Sequence, residues 1–338
     1  MIEADNKTIY LEDKEAKVSL KVKQPPNFYK YYSLSKYSVE NLKNHKIHFS
    51  HPYNLNDIMD GNLQLWDLED FYQDFLKKSK IQMDEFTFGK EIVQKHSFEY
   101  YKHRGVLCLT ESFNNKLFWP HYTSEQGFCL EFESDKFLES FSKEEVLIFP
   151  ISYEPLKKIN FNKYIEKEIV DGKANINAKL PLLYALSYKD SIWEYEKEWR
   201  ILLRKKNLGE VSHPLNPISD EKFKEENENL KLRNISFAKN SISKIILSNL
   251  FFHKNRFNSQ FRKEGIDTYT FRDNEMNDDS ILYQFLNLIR SQHNDKIYQL
   301  DRDFDKANNH FLGKLYYKIK ILELDFQKIV IERTLNSG

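Results

Sequence analysis

Apolar and polar positions along this chain follow two periods, and the switch between them marks its elements. Alternation over 8–11 and 18–22 predicts a strand pair that ends at Pro25-Pro26. Residues 28–34 (FYKYYSL) read as an aromatic strand, Ser35 as the cap of a helix running to about 44, and 47–50 as a short strand. The polar loop 51–61 (HPYNLNDIMDG) follows. Leu65, Leu68, Phe71, Tyr72, Phe75 and Leu76 recur at helical spacing and predict a helix over 62–80, with a second over 83–102. Strands are expected over 105–110, 128–133 and 146–153, with a short helix or turn over 119–122. A helical stripe runs from Ile176 to Tyr188. Residues 206–232 read as a surface insertion or loop. Strands over 242–248 and 268–271 flank a basic helix expected around 250–263, where His253, Lys254, Arg256, Arg262 and Lys263 suit a solvated face.

From Asp278 onward the pattern reads as helical. Leu282, Phe285, Leu286 and Ile289 form one stripe, and Leu315, Ile319, Leu322, Phe326 and Ile329 recur every four and three residues. The expected class is α+β: a mixed or antiparallel central sheet flanked by helices, with a helical C-terminal extension. The expected division is 1–27 as an N-terminal strand pair or arm, 28–275 as an α+β domain, and 276–338 as the helical extension. The heptad packs on its own domain or serves as a homodimer seam.

One stretch organises the functional reading. Residues 191–204 (SIWEYEKEWRILLR) alternate, with Glu194, Glu196, Glu198 and Arg200 on one parity and Trp193, Tyr195, Trp199, Ile201 and Leu203 on the other. As a strand, this segment lines one surface with three carboxylates and a guanidinium. Their mutual repulsion then calls for solvent, Arg200 and nearby bases, or a ligand. The bland alternative is a charged outer face laced by Lys and Arg.

Composition narrows the classes. The 338 residues are 40% hydrophobic and 30% charged, which is globular. Lys+Arg and Asp+Glu are each 51, so no global field favours nucleic acid or a basic partner. Cys108 and Cys129 lie in apolar runs and read as buried free thiols of a reducing cytoplasm. No apolar run approaches the about 20 residues of a membrane span, and neither GxGxxG nor GxxxxGK[ST] occurs.

Four segments in series, YKYYSL (29–34), IHFSHPYNLNDIMD (47–60), FWPHYTSEQGFCLEF (118–132) and WEYEKEWRI (193–201), resemble an uncharacterised bacterial family, DUF2971. The resemblance covers about 28–250, and Ile58 stands where the family carries a proline. It implies no activity. Separately, Glu196 and Glu198 form the Glu-x-Glu pattern of ADP-ribosyltransferases. That likeness implies NAD as substrate, with no resident cofactor, bound near Tyr31 (or Tyr29 or Tyr32), Ser50 and Glu198. The Arg or His of that family's first motif is missing, and Lys30 is the nearest cation.

The resulting expectation is an NAD-consuming enzyme that cleaves the nicotinamide–ribose bond, with a bacterial defence or toxin effector as the setting such enzymes commonly have. Glu198 would stabilise an oxocarbenium-like ribose, and Glu196 would act on the nucleophile. Tyr31, Ser50, Tyr53, Asn56, Asp57, Trp119, His121, Tyr122 and Arg200 are the candidate binding groups. Hydroxyls and amides of the 51–61 loop would take a phosphate or ribose, or else satisfy their own turn. Trp119, His121 and Tyr122 would stack a ring and move a proton, or simply pack a turn. The acceptor, protein or nucleic acid, is open, and the setting is cytoplasmic. Two alternatives stand: a metal-dependent nuclease using Asp57, Glu196 and Glu198, and a non-catalytic sensor or interaction module. No HxxxH or CxxC spacing supports a zinc site.

Overall fold

The computed structural model describes residues 1–55, 57, 66–78, 84, 87, 95–154, 159–170, 173–205, 208–209, 211, 219–255, 257–263, 265–271, 276–300, 303–305, 310–312 and 316–336. The chain separates into two compact units, each assembled from three stretches. The first takes Met1–Gln24, His48–Leu109 and Phe141–Ile235, and the second Pro25–Ile47, Thr110–Ser140 and Ser236–Gly338.

The first unit opens on an antiparallel trio, Ile2–Glu3, Lys7–Glu12 and Glu15–Leu20. Asp13 and Lys14 both take positive φ, as the two-residue turn of a right-twisted hairpin requires. Glu198–Arg204 pairs antiparallel with Val146–Pro150 and lies beside Arg104–Thr110. The helix Lys179–Ala185 buries Leu180, Leu182, Leu183 and Ala185 in a core with Ile9, Phe71, Tyr101, Val106, Phe149 and Leu202. Each large apolar side chain removed from water there contributes about 2–3 kcal/mol before chain entropy is counted.

The second unit is built on a mixed sheet. Its strands run Phe257–Lys263, Ile266–Phe271, Lys328–Asn336, Tyr316–Leu324, Ile297–Leu300, Ile242–Leu247, Phe128–Glu133, Asn27–Tyr32. Ile242–Leu247 and Ile297–Leu300 are parallel, the helix Ile281–His293 leading into the second of them, and the other neighbours are antiparallel. That helix stacks Phe285 on Phe128 at 4.7 Å between centroids. Ser35 caps the helix Lys36–Lys43 through a reciprocal box with Ser38. The α+β class, the mixed sheet and its flanking helices are therefore as the pattern predicts.

Three expectations fail. The C-terminal heptad is a strand pair, Tyr316–Leu324 with Lys328–Asn336. The run YYKIKILEL also alternates with period two, burying Ile319 and Ile321 and exposing Lys318 and Lys320. Pairing across the sheet satisfies that alternation, which overrides the four-three spacing. The helical part of 276–338 is Ile281–His293, so no helical seam for a dimer exists over 316–329.

Residues around 250–263 form a short helix, Phe251–Lys254, and then a strand, Phe257–Lys263; Arg256 lies outside the described residues. The 206–232 stretch holds a helix, Asp220–Leu230, capped by Ser219 and carrying Asp220 and Glu221 in its first turn, where they complement the helix dipole. The predicted helix over 62–80 appears as Glu69–Lys78, with 62–65 and 79–80 outside the described residues. Among the described residues no helix is long and apolar enough to cross a membrane.

Candidate active site

The Glu-rich stretch is not one strand. Asp190 accepts from the Ile192 N–H and starts a 3-10 turn over Ser191–Glu196, and Lys197, at φ 45°, turns the chain into the strand Glu198–Arg204. A left-handed residue cannot continue a pleat, so the predicted single face is broken at Lys197. Glu194 ends up exposed. Glu196, Glu198 and Arg200 are buried, which also overturns the reading of a solvated outer face.

The two acids meet at Lys189, whose strand Tyr188–Lys189 runs parallel to Ser152–Tyr153, and Arg200 holds Glu198. Lys189 Nζ lies 2.6 Å from Glu196 Oε2 and 2.9 Å from Glu198 Oε2. Arg200 donates Nε to Glu198 Oε1 at 2.6 Å and Nη2 to Oε2 at 3.2 Å, and its Nη1 donates to the Leu186 carbonyl at 2.7 Å. The Tyr153 hydroxyl accepts the Glu198 N–H at 2.8 Å. Burial alone would raise the Glu198 pKa, but Arg200, Lys189 and a hydrogen bond from the Cys108 thiol outweigh it and hold the carboxyl at about 2. Glu198 is thus an anion throughout the physiological range. Burial, and then the Glu198 charge, push the Tyr153 phenol up.

A second buried cation adjoins the cluster. Lys7 donates to the Pro150 carbonyl at 2.7 Å, the Ser152 hydroxyl at 2.5 Å and the Ser187 carbonyl at 3.1 Å. Burial, reinforced by the Arg200 charge, lowers its pKa to about 7. Its strand pattern carries the signal: Lys7 shares parity with Ile9 and Leu11, the apolar positions. Lys189, Lys7, Tyr153 and Cys108 were not among the sequence-chosen residues. A lysine on an apolar parity signals a buried amine that has to find polar partners inside, here carbonyls and a hydroxyl, and period alone does not say which.

The 3-10 turn displays apolar groups while tucking its acid inside. Ile192 is 70% and Tyr195 38% exposed, and Trp193 is half-buried, 6.0 Å from the Tyr195 ring and 5.5 Å from Lys189 Nζ. The result is an aromatic ledge above an anionic pair.

The remaining candidates fall into separate groups. Ser50 belongs to the first unit and bridges Val106 through both backbone bonds. Residues two apart on a strand share a face, so Ser50 meets the face of Arg104–Thr110 that carries Cys108. Tyr53 contacts the Ser97 hydroxyl at 3.2 Å and packs edge-on to Tyr101, and its N–H donates to His51 Nδ1. The loop here therefore satisfies part of its own turn. Asp57 is half-buried, and Asn56 lies outside the described residues.

Tyr31, Trp119, His121 and Tyr122 belong to the second unit. Tyr31 meets Trp119 edge-on at 5.0 Å and donates to the Ser112 carbonyl at 3.2 Å, with burial pushing its phenol up. Trp119 is buried and donates Nε1 to the Phe113 carbonyl at 2.9 Å. His121 and Tyr122 are exposed on the helix Phe118–Thr123. The carboxylates and this aromatic group thus sit in different units. Among the described residues no group of three or more His, Cys, Asp or Glu is placed to hold a metal ion.

Residues 118–201 match the family described as "Protein of unknown function (DUF2971)", so the resemblance read from the sequence is shown over that stretch. It spans the FWPHY helix, the Phe128–Glu133 strand and the Glu196–Glu198–Arg200 cluster. No curated protein and no solved structure matches the chain.

Proposed function

We propose that the first unit cleaves the nicotinamide–ribose bond of NAD, in the manner of an ADP-ribosyltransferase or NAD glycohydrolase. The observation that carries the reading is the convergence of both acids of the Glu-x-Glu pattern on one ammonium, at 2.6 and 2.9 Å, directly below an exposed aromatic turn. A ring of the dinucleotide would stack on Trp193 and Tyr195. Glu198, kept ionised near pKa 2, would face the ribose as the C–N bond breaks and its electron pair leaves with neutral nicotinamide. Water or an acceptor group would then form the new bond to the ribose carbon, its proton passing to Glu196. Lys189 and Arg200 Nη2 both hold Glu198 Oε2, and both have to yield for that oxygen to meet a ligand. Arg200 is a positioning residue here, because its donors are spent on Glu198 and Leu186. The acceptor, and any role in defence or toxicity, belong to this same proposal.

NAD binding tests it. Titration with NAD should quench Trp193 fluorescence, and Tyr195→Ala should raise KM about tenfold while kcat stays within a factor of two. Equal KM in the two proteins would overturn the stacking role.

A second reading has its own observation. Both oxygens of Glu198 are engaged, and the residue is 4% exposed, as suits a buried lock in an interaction module. That lock predicts a large loss of melting temperature in Glu198→Gln and no NAD turnover in any variant.

A further inference from the structure

Two imidazoles in the second unit pack together, each with a buried nitrogen left unpaired. The helix Ile281–His293 ends on His293, which is 1% exposed, and its Nε2 has no hydrogen-bond partner among the described residues. The helix Lys36–Lys43 packs against it and leads into His45. His45 is half-buried, and its Nε2 is likewise enclosed and unpartnered among the described residues. The ring centroids lie 6.3 Å apart, and Phe237 meets His45 edge-on at 6.1 Å. Asn41, on the shorter helix, adds a third buried orphan in its Nδ2. Folded proteins keep few such groups, and a cluster of three calls for a reason.

The charges around the pair are mostly positive. Lys239 acts on both rings, and Lys296 and Asp295 act on His293. Asp295 is exposed, while Lys296 is half-buried and donates to the Ile242 carbonyl at 2.7 Å. Glu40 and Lys43 of the shorter helix are exposed, and on the strands beside the longer one Lys318, Lys320 and Glu332 line a groove whose walls do not include His293. A proton arriving on His293 therefore meets two lysines and the other imidazole against one exposed acid. Burial, then His45 and the lysines, lower the His293 pKa to about 4, and burial followed by Lys239 lowers that of His45. The shorter helix is the weaker partner at this junction. Of its buried side chains only Val39 and Leu42 are apolar, and so short a helix does not hold unaided. The longer one is fixed by Phe285, Leu286, Leu288 and Ile289, so a cost placed between them releases the shorter helix first.

We propose that His45 and His293 form an acid-sensitive latch, packed while both rings are neutral and released by protonation, so that the helix Lys36–Lys43 detaches from Ile281–His293. The latch lies within the second unit and stands independently of the NAD reading. Because the folded pKa is the lower one, the open form takes up the proton first. Closure is then complete above pH 6.5 and weakens as the pH falls toward 4. From His293 alone the opening constant should rise about twentyfold between pH 7 and pH 5.

Hydrogen exchange of the full chain, read by mass spectrometry from pH 7 to pH 5 and corrected for the intrinsic exchange rate, tests the latch. Peptides covering 36–43 should lose protection at least about twentyfold, while those covering 242–247 in the same unit keep theirs. His293→Leu removes the more deeply buried ring and should bring that ratio below about fivefold. His45→Asn keeps the test alive where His293→Leu unfolds, because Asn accepts the φ of 51° found at this position after the helix. It should at least halve the ratio, about a twofold change or more. Protection over 36–43 that is the same at both pH values, an equal loss over 242–247, or an unchanged ratio in either folded variant overturns the proposal.

Discussion

Arg200 reaches back two residues along its own strand to hold Glu198, Nε donating to Oε1 at 2.6 Å with both side chains buried. Same-face neighbours on a strand meet in this way, and the pair fixes the carboxylate before any ligand arrives. The consequences can be measured one residue at a time.

Acid titration should report Glu198. Its folded pKa of about 2 lies below the ordinary carboxyl value of 4.5, so its contribution is present above pH 4.5 and is lost as the pH falls toward 2. The contribution is on the order of 3 kcal/mol. Urea melts of wild type and Glu198→Gln should therefore converge between pH 4.5 and 2. Parallel profiles across that window would show the carboxylate unperturbed.

Lys7 should act in the opposite range. With a folded pKa near 7 against 10.5, the unfolded chain binds the extra proton between those values, so stability rises with pH across them. Lys7→Met should flatten that rise. It should also cost about 1–3 kcal/mol, from carbonyls of Pro150 and Ser187 left without their donor. Chemical denaturation at pH 7 and pH 10 measures both.

Removing Lys189 tests the shared cation. Lys189→Met leaves Glu196 and Glu198 buried with one fewer positive charge, and should destabilise the protein by about 3–5 kcal/mol. The double variant Lys189→Met with Glu196→Gln should recover part of that loss. A double-mutant cycle with no coupling would contradict the geometry.

In the second unit, Gly127 is fixed by space. A Cβ there would meet the Tyr32 carbonyl oxygen at 1.9 Å, backbone that cannot swing aside. Gly127→Ala should force Asn27–Tyr32 from Phe128–Glu133 and cost more than about 2 kcal/mol, read as a drop in melting temperature.

Much of this architecture is legible in the sequence because local signals agree with packing. Ser35 announces its helix, and the runs 105–110, 128–133 and 242–248 become strands buried on both faces. The C-terminal segment misleads because Leu315, Ile319 and Leu322 fit a heptad while Ile319 and Ile321 fit a pleat, and only sheet pairing decides. At the site, parity brings Glu198 and Arg200 together correctly. It cannot foresee that Lys197 turns left-handed, which removes Glu194 from the cluster and delivers Glu196 by another path. Lys7 comes from a strand at the start of the chain, while Lys189 stands only seven residues before Glu196 and meets it because the 3-10 turn folds the chain back, so strand alternation places neither.

Nicotinamide release from NAD, followed by chromatography, tests the central claim most directly. It compares wild type with Glu198→Gln and Glu196→Gln, each with and without cell lysate as a source of acceptors or triggers. The account predicts release by wild type and a loss of at least about a hundredfold in folded Glu198→Gln. Glu196→Gln, which leaves Glu198 paired with both Arg200 and Lys189, should lose transfer and cost less than the about 3–5 kcal/mol of stranding a buried charge. Folded wild-type protein that releases no nicotinamide with lysate present, or variants that release it as fast as wild type, would contradict the account.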